Sequence, residues 1–258
     1  MACLTIRYAI SFCVIMPDIS INDYMNNNEL GILYIVATPI GNLEDITLRA
    51  LRILKEVDVI LCEDTRTTKN LLNKYDIHTK TISYNAHSTN AKESTIIEML
   101  KEKKNLALVS DAGTPTISDP GVLLVSNVRK EFGDNISIVP IPGPSALISA
   151  LCASGISSAE FVFLGFLPHK KGRETLFKEI SNSKRVMVFY ESTHRIIKTL
   201  TSLIEYAPLF KVVIGRELTK QFEQFVSGTP KEVLEYFNLN KDKQRGEFVV
   251  IVEPKQKI

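Results

Sequence analysis

The sequence is poor in the features that would indicate a metal protein or a disulfide-rich protein. It has four cysteines and four histidines in 258 residues, and neither group shows metal-ligand spacing or a C-x-x-C pair. Cys62 falls in a strand-like apolar run and Cys152 in a helix-like one. We therefore predict reduced structural thiols in a cytosolic protein that needs no metal.

Strong net charge and long apolar runs are also missing. Basic residues exceed acidic ones by only 31 − 29 = 2, so a nucleic-acid partner would have to bind local basic patches. The apolar stretch Tyr8–Met16 is shorter than the ~20 residues that cross a bilayer. No clear small-x-small cleavage site follows it. We predict no membrane association and a cytoplasmic location.

Residues 1–30 are predicted to be an N-terminal extension, either disordered or the result of a mis-assigned start. Met25 is a candidate true start, because the organised chain begins a few residues later. A targeting peptide and an ordered accessory segment are the alternatives.

Two common nucleotide-binding motifs are absent. The stretch "YIVATPIGNL", Tyr34–Leu43, ends an apolar run in a Pro/Gly turn but lacks the G-x-G-x-x-G of dinucleotide folds. No G-x-x-x-x-G-K-[ST] loop occurs either, which argues against a triphosphate ligand.

What is present is an alternation of apolar runs with helical patterns, in a chain that is 45% apolar and 23% charged. This pattern predicts an α/β fold with a largely parallel sheet. The small, polar stretch "SGISSAE" suggests two α/β domains, 31–154 and 155–258. The predicted strands are Leu33–Ala37, Val57–Cys62, Thr81–Tyr84, Leu106–Val109, Ile136–Pro140, Phe161–Phe166, Arg185–Tyr190, Lys211–Gly215, Gln224–Ser227 and Glu247–Val252.

Small and polar residues follow four strands of the first predicted domain, at Thr38–Thr47, Glu63–Lys69, Ser110–Gly121 and Ile141–Ala146. One such turn alone would be structural. Four at the carboxyl ends of strands predict a ligand site, because ligands of open α/β sheets bind there. Small residues allow close backbone approach, which suits a ligand with adenine, ribose and amino-acid parts.

Two aspartates in "SDAGTPTISDPG" are assigned different roles. Asp111 directly follows an apolar strand, and its carboxylate could accept hydrogen bonds from a ribose or an ammonium group. Asp119 precedes Pro120 and a helical pattern, which is typical of a helix cap.

The motifs "VATPIGNLEDIT", "CEDTR", "SDAGTPTISDPG", "PGPSA", "FLP", "YESTHR" and "REL", taken in order, resemble the tetrapyrrole-methylase-like (class III) S-adenosylmethionine methyltransferases. The resemblance covers Ile32 to Pro254. It implies a homodimer and a cofactor, S-adenosylmethionine, held in a cleft between two α/β domains. The implied cofactor-binding residues are Pro39, Asp111, Ala112, Gly113, Thr114, Pro115, Ser145, Ala146, Tyr190, Glu191, Arg216 and Glu217.

The porphyrin-modifying relatives carry a glycine-rich turn after the first strand, where this chain has "TPIGNL". In this respect the chain resembles the RNA-modifying branch of the family. That resemblance implies methylation of the ribose 2′-oxygen of a cytidine in 16S ribosomal RNA. The implied partner is 16S rRNA or the small ribosomal subunit. The alternatives are a class III methyltransferase for a small molecule or protein, and a non-catalytic nucleotide- or ribosome-binding module.

A ribose hydroxyl is a weak acid, so a nearby base should accelerate its methylation. The sequence does not single out that base; the candidates are Glu63, Asp64, Glu191, His194 and Lys220. The densest basic loop is "HKKGR", where Lys170, Lys171 and Arg173 are predicted to meet RNA phosphates. Further phosphate contacts are predicted for Arg66 and Arg195.

Overall fold

The structure is a computed structural model that describes residues 29–85, 90–119 and 121–254. Residues 1–28 of the predicted N-terminal extension lie outside these ranges. The extension and the start at Met25 therefore remain predictions. His87 and Pro120 also lie outside the described residues.

The described residues form two five-stranded sheets. The strands are β1 Leu33–Val36, β2 Val59–Cys62, β3 Lys80–Ser83, β4 Leu106–Val109, β5 Ile138–Ile141, β6 Phe161–Phe166, β7 Val186–Ser192, β8 Lys211–Arg216, β9 Gln224–Gly228 and β10 Glu247–Glu253. The α-helices are α1 Leu48–Glu56, α2 Thr65–Lys74, α3 Asn90–Lys101, α4 Gly121–Phe132, α5 Ala146–Ala153, α6 Arg173–Asn182, α7 Ile196–Tyr206 and α8 Pro230–Leu239. Short 3-10 turns cover Leu43–Asp45, Gly133–Asn135 and Lys241–Gln244.

The first sheet has the order β3-β2-β4-β1-β5, and all its strands are parallel. β2 and β4 are buried at every position, because helices cover both faces of such a sheet. Parallel pairing brings the residues after β1, β2, β4 and β5 to one edge of the sheet. The predicted ligand loops therefore share one edge.

The second sheet has the order β6-β7-β10-β8-β9 and is mixed. β6 and β7 are parallel, whereas β10 is antiparallel to both of its neighbours, β7 and β8. β9 lies at an edge, antiparallel to β8. The expectation of a largely parallel arrangement holds for the first sheet only.

Helix α5 joins the two sheets. Its residues Leu147, Ala150 and Leu151 are buried in one apolar cluster with side chains of the second sheet, such as Val188 and Val249. By sequence, α5 belongs to the first half, yet its apolar face packs against the second. The predicted boundary between residues 154 and 155 stays a prediction.

The predicted α/β fold class is confirmed, and all ten predicted strands occur within two residues of their predicted ends. Helix α2 was missed, because "TRTTKN" has a polar, β-branched composition that disfavours helix. Asp64 begins this helix by accepting a hydrogen bond from Arg66 N at 2.8 Å. Burial of Leu71 and Leu72 then stabilises it.

Candidate functional site

A cleft of about 610 Å³ lies between the two halves, within the usual size range of small-molecule sites. Its first wall comes from the loops that follow β1, β2, β4 and β5, and its second wall from the second sheet. The lining residues are Ile40, Glu63, Ser110, Asp111, Ala112, Gly113, Thr114, Ile117, Ser118, Asp119, Ser145, Ala146, Phe166, Tyr190, Glu191, Ser192, Thr193, His194, Leu218, Gly246, Glu247, Phe248 and Val249.

The loop after β4 is fixed to the end of β1 by main-chain hydrogen bonds. Thr38 N donates to Gly113 O at 2.9 Å, and Gly113 N donates to Thr38 O at 3.0 Å. Gly113 has φ +83°, where a side chain would be strained. Thr114 Oγ1 donates to Pro144 O at 3.1 Å, which ties this loop to the one after β5. Main-chain geometry therefore shapes the first wall.

Three carboxylates of the first wall line the cleft. Asp111 Oδ1 accepts a hydrogen bond from Asp64 N at 3.0 Å, which links the ends of β4 and β2. Asp119 Oδ1 accepts from Gly121 N at 2.8 Å, so the predicted capping role is confirmed. Burial raises the pKa of Glu63, and the charges of Asp111 and Asp119 raise it further.

Aromatic residues dominate one end of the second wall. The ring of Tyr190 contacts the rings of Phe163 and Phe166, with centroid distances of 5.0 and 5.4 Å. Burial raises the pKa of Tyr190, and a hydrogen bond with the Leu147 backbone partly offsets this. That hydrogen bond connects Tyr190 to helix α5 of the first half.

Glu191 is the centre of a buried ionic network behind the second wall. Its side chain has 0% exposure and meets Arg195 Nε at 2.7 Å through Oε1. Thr199 Oγ1 donates to Oε2 at 2.6 Å and accepts from Arg173 Nη2 at 2.6 Å. Arg173 Nη2 itself lies 3.8 Å from Oε2. Two guanidinium groups thus hold one carboxylate.

The same arginines hold the segment that follows β6. Arg195 Nη1 donates to Leu167 O at 2.7 Å, and Arg173 Nη1 donates to Pro168 O at 3.3 Å. The network therefore fixes this segment relative to the end of β7.

The cleft brings together many of the residues predicted from sequence, while others lie outside its lining. Those that line it are Glu63, Asp111, Ala112, Gly113, Thr114, Ser145, Ala146, Tyr190, Glu191 and His194. Those outside the lining are Pro39, Asp64, Pro115, Arg216, Glu217 and Lys220.

The side chains of the "REL" loop serve the fold. Arg216 is 8% exposed and donates to Arg245 O at 2.8 Å and to Phe222 O at 3.1 Å. Glu217 Oε1 accepts from Glu247 N at 2.9 Å and pairs with Lys220 at 3.0 Å. The residue of this loop that lines the cleft is Leu218.

Three base candidates are less suitable because ion pairs engage their charged groups. Arg66 hydrogen bonds lower the pKa of Asp64 to about 2. Burial lowers the pKa of Lys220, but hydrogen bonds to Glu247 and Glu217 outweigh burial and raise it overall. The carboxylate of Glu191 is held by Arg173 and Arg195.

Two of the predicted phosphate contacts need correction. Arg173 is only 7% exposed and Arg195 has 14% side-chain exposure, because both serve the Glu191 network. Lys170 and Lys171 are exposed and form no ion pair within the described ranges. Arg66 is exposed but paired with Asp64 at 2.7 Å.

Several lining residues were missed from the sequence. Ile40, Ile117 and Leu218 are apolar residues in turns, where composition gives no signal for ligand contact. The start of β10, Gly246–Val249, enters the cleft only because β10 runs antiparallel to β7, which pairs Phe248 with Glu191.

No helix in the described ranges has the length and apolar character needed to cross a bilayer. Those ranges also contain no group of three or more His, Cys, Asp or Glu side chains that could hold a metal ion.

Residues 32–234 match the family described as Tetrapyrrole (Corrin/Porphyrin) Methylases. This match spans more than half of the chain. The chain belongs to the tetrapyrrole methylase family. The family predicted from the motifs is therefore confirmed.

Relatives within the family share close to half of the sequence. The chain is 46% identical over 231 residues to "Ribosomal RNA small subunit methyltransferase I" of Halalkalibacterium halodurans, covering 89% of this chain and 78% of that protein. It is 45% identical over 227 residues to the protein of the same name from Thermotoga maritima, covering 88% of this chain and 100% of that protein.

Solved structures share the tetrapyrrole methylase fold at low identity. Diphthine synthase superposes with a TM-score of 0.68 at 14% identity, covering 88% of this chain and 92% of that chain. Uroporphyrin-III C-methyltransferase from Thermus thermophilus gives 0.59 at 17% identity, covering 86% and 94%. These likenesses support the fold alone.

Proposed function

We propose that this tetrapyrrole methylase family member transfers a methyl group from S-adenosylmethionine to small-subunit ribosomal RNA. The observation that carries the proposal is the identity of 45–46%, over 88–89% of this chain, to two proteins named ribosomal RNA small subunit methyltransferase I. The accepting group that we propose is the ribose 2′-oxygen of a cytidine in 16S rRNA, as the motif resemblance implies.

The cleft fits the proposed cofactor in size and chemistry. Its apolar residues Ile40, Ala146 and Leu218 could cover an adenine ring, and the carboxylate of Asp111 could bind a ribose or an ammonium group. The positive φ of Gly113 allows a ligand close approach to the backbone. Bound S-adenosylmethionine supplies an activated methyl group, so the protein has mainly to orient the acceptor.

We propose Glu63 as the base that removes the proton of the accepting hydroxyl. Of the five candidates, only Glu63 and His194 line the cleft and escape a strong ion pair. The Glu63 carboxylate forms no hydrogen bond or ion pair with any described residue. Burial also raises the pKa of Glu63, which makes the carboxylate a stronger base.

The test uses labelled S-adenosylmethionine and small ribosomal subunits that lack the modification. We expect label in the RNA, recovered after nuclease digestion as a 2′-O-methylated cytidine. Label in another nucleoside would reject the cytidine assignment. Label in protein or a small molecule would support the first alternative function.

A calorimetric arm separates the second alternative, a non-catalytic binding module. We expect the cofactor to bind the isolated protein and to raise its melting temperature, since a ligand of the folded state stabilises that state. Subunit binding without cofactor binding would favour the module and reject the methyltransferase.

We further propose a homodimer that works in the cytoplasm, where the proposed substrate occurs. The dimer rests on the family resemblance. Sedimentation equilibrium of the purified protein would test it, and a monomer at working concentration would reject it.

A further inference from the structure

Phe166 is an exposed aromatic residue inside the cleft. It ends β6, is 55% exposed and lines the cleft. An exposed phenylalanine leaves apolar area in contact with water, and covering that area with a ligand would be favourable. Phe222 is also exposed, at 66%, but lies outside the lining.

The backbone directs Phe166 into the cleft through an irregularity in β6. The pairing of β6 with β7 shifts register between Phe163 and Phe166, so that Phe166 pairs with Tyr190. Gly165 lies in this shift with φ +61°. Such bulges re-aim a side chain and are frequent beside active sites.

The ring of Phe166 is also supported from behind. Tyr190 contacts it at a centroid distance of 5.4 Å. The next two carbonyls, of Leu167 and Pro168, are held by Arg195 and Arg173. The Glu191 network therefore fixes the segment that carries the ring, so ordering it on ligand binding costs little entropy.

We propose that Phe166 is a stacking platform for an unpaired nucleobase of the RNA substrate. This inference rests on the proposed function and adds a base-binding subsite to it. Bases of single-stranded RNA stack on aromatic side chains, and every base offers a π-face. Lys170 and Lys171 follow in the same loop, exposed to solvent, where they can contact the adjoining phosphates.

The adenine of the cofactor is the other nucleobase available to this ring. The RNA base is favoured because Phe166 and the exposed Lys170 and Lys171 belong to one short segment of the second half, whereas the residues proposed to hold the cofactor, such as Asp111 and Ala146, belong to the first wall. The experiment separates the two bases.

The sequence has no tryptophan, so Phe166→Trp creates a single fluorescent reporter. We expect a short cytidine-containing RNA to quench its emission by stacking, and the same RNA with abasic sites to quench it far less. S-adenosylhomocysteine should leave the emission unchanged. Phe222→Trp is the matched control, and its emission should respond to none of these ligands.

Quenching by S-adenosylhomocysteine alone would reassign the ring to the cofactor and overturn the proposal. Equal quenching by intact and abasic RNA would also overturn it. If Phe166→Trp failed to fold, the unlabelled Phe166→Ala variant would decide through its affinity for RNA. We expect that affinity to fall by roughly 5- to 150-fold, with partial rescue in Phe166→Tyr and unchanged cofactor affinity.

The proposed methyltransferase function and the Phe166 platform can be rejected independently of each other. A wild-type protein that transfers no methyl group to subunits would reject the function, while base-dependent quenching would still support the platform. Normal methylation with unchanged RNA affinity in Phe166→Ala would reject the platform alone.

Discussion

The two walls of the cleft are built by different means. The first wall consists of loops fixed by main-chain hydrogen bonds, such as those between Thr38 and Gly113. The second wall uses large side chains, Phe166 and Tyr190, held by a buried ionic network around Glu191. A wall of backbone groups suits one invariant ligand, whereas a wall of side chains can be varied to suit a particular substrate.

The sheets behind the walls explain this contrast. The parallel first sheet delivers four loops to one edge, each ready to contact a ligand through its backbone. In the second sheet, antiparallel β10 pairs its first residues, Glu247 and Phe248, with Ser192 and Glu191 at the end of β7. Strand ends rather than long loops therefore form the second wall.

Removing the centre of the ionic network should have the largest effect on stability. Glu191→Ala leaves two arginines with little exposure unpaired, which should lower the free energy of unfolding by about 3–5 kcal/mol. Urea denaturation measures this loss. The control is Glu174→Ala, which removes an exposed i,i+4 pair with Lys178 and should change stability little. Equal effects of both variants would reject the network as the support of the second wall.

Glu63→Gln should have the largest effect on turnover, lowering kcat by about 10²-fold or more. Only the ionised carboxylate is a base, and the pKa of Glu63 is raised. Activity should therefore fall as pH drops through a value above the ordinary glutamate range. The variant should lose this dependence and keep its cofactor affinity. His194→Gln is the comparison; if that variant alone lost the acid limb of the pH profile, His194 would be the base.

Asp111→Ala tests the first wall. It should weaken cofactor binding by about 1–3 kcal/mol, the effect of removing a hydrogen-bond partner. Asp111→Asn keeps an acceptor for Asp64 N but removes the negative charge. Comparing it with Asp111→Ala therefore distinguishes the structural role of Asp111 from the contribution of its charge to cofactor binding. Calorimetry measures both affinities. Unchanged cofactor affinity in a folded Asp111→Ala protein would remove this residue from the site.

The smallest expected effect concerns the two exposed lysines in the loop that follows β6. Replacing Lys170 and Lys171 by alanine should weaken RNA binding and reduce the slope of log affinity against log salt by about 1.4, for two single-strand phosphate contacts. Cofactor affinity should not change. The matched control is Lys101→Ala with Lys104→Ala, two lysines already paired with glutamates. An unchanged slope in the Lys170/Lys171 variant would place the RNA elsewhere.

The sequence predicted the strands and the first wall well, because apolar runs and Gly/Pro turns are local signals. Asp111 and Ser145 lie in the loops that follow β4 and β5, so parallel topology brings them to the cleft. The second wall was harder to predict because its contacts are distant in sequence. Arg173 was predicted to meet RNA phosphates from a basic loop, but it begins helix α6 and contacts Glu191 and Thr199 inside the fold. Phe166 stands in the motif "FLP", but the sequence indicated no role for its ring, because the shift in pairing register beside Gly165 is visible only in the structure.

Helix α5 has a consequence for how the chain unfolds and how it can be divided. Leu147, Ala150 and Leu151 share one apolar cluster with the second sheet. A cut after residue 154 would therefore expose this helix face on one fragment and the matching sheet face on the other. The two halves should melt in a single cooperative transition and fail to refold as separate polypeptides. A hinge motion large enough to separate the walls would have to break this cluster, so the opening between them is largely set when the protein folds.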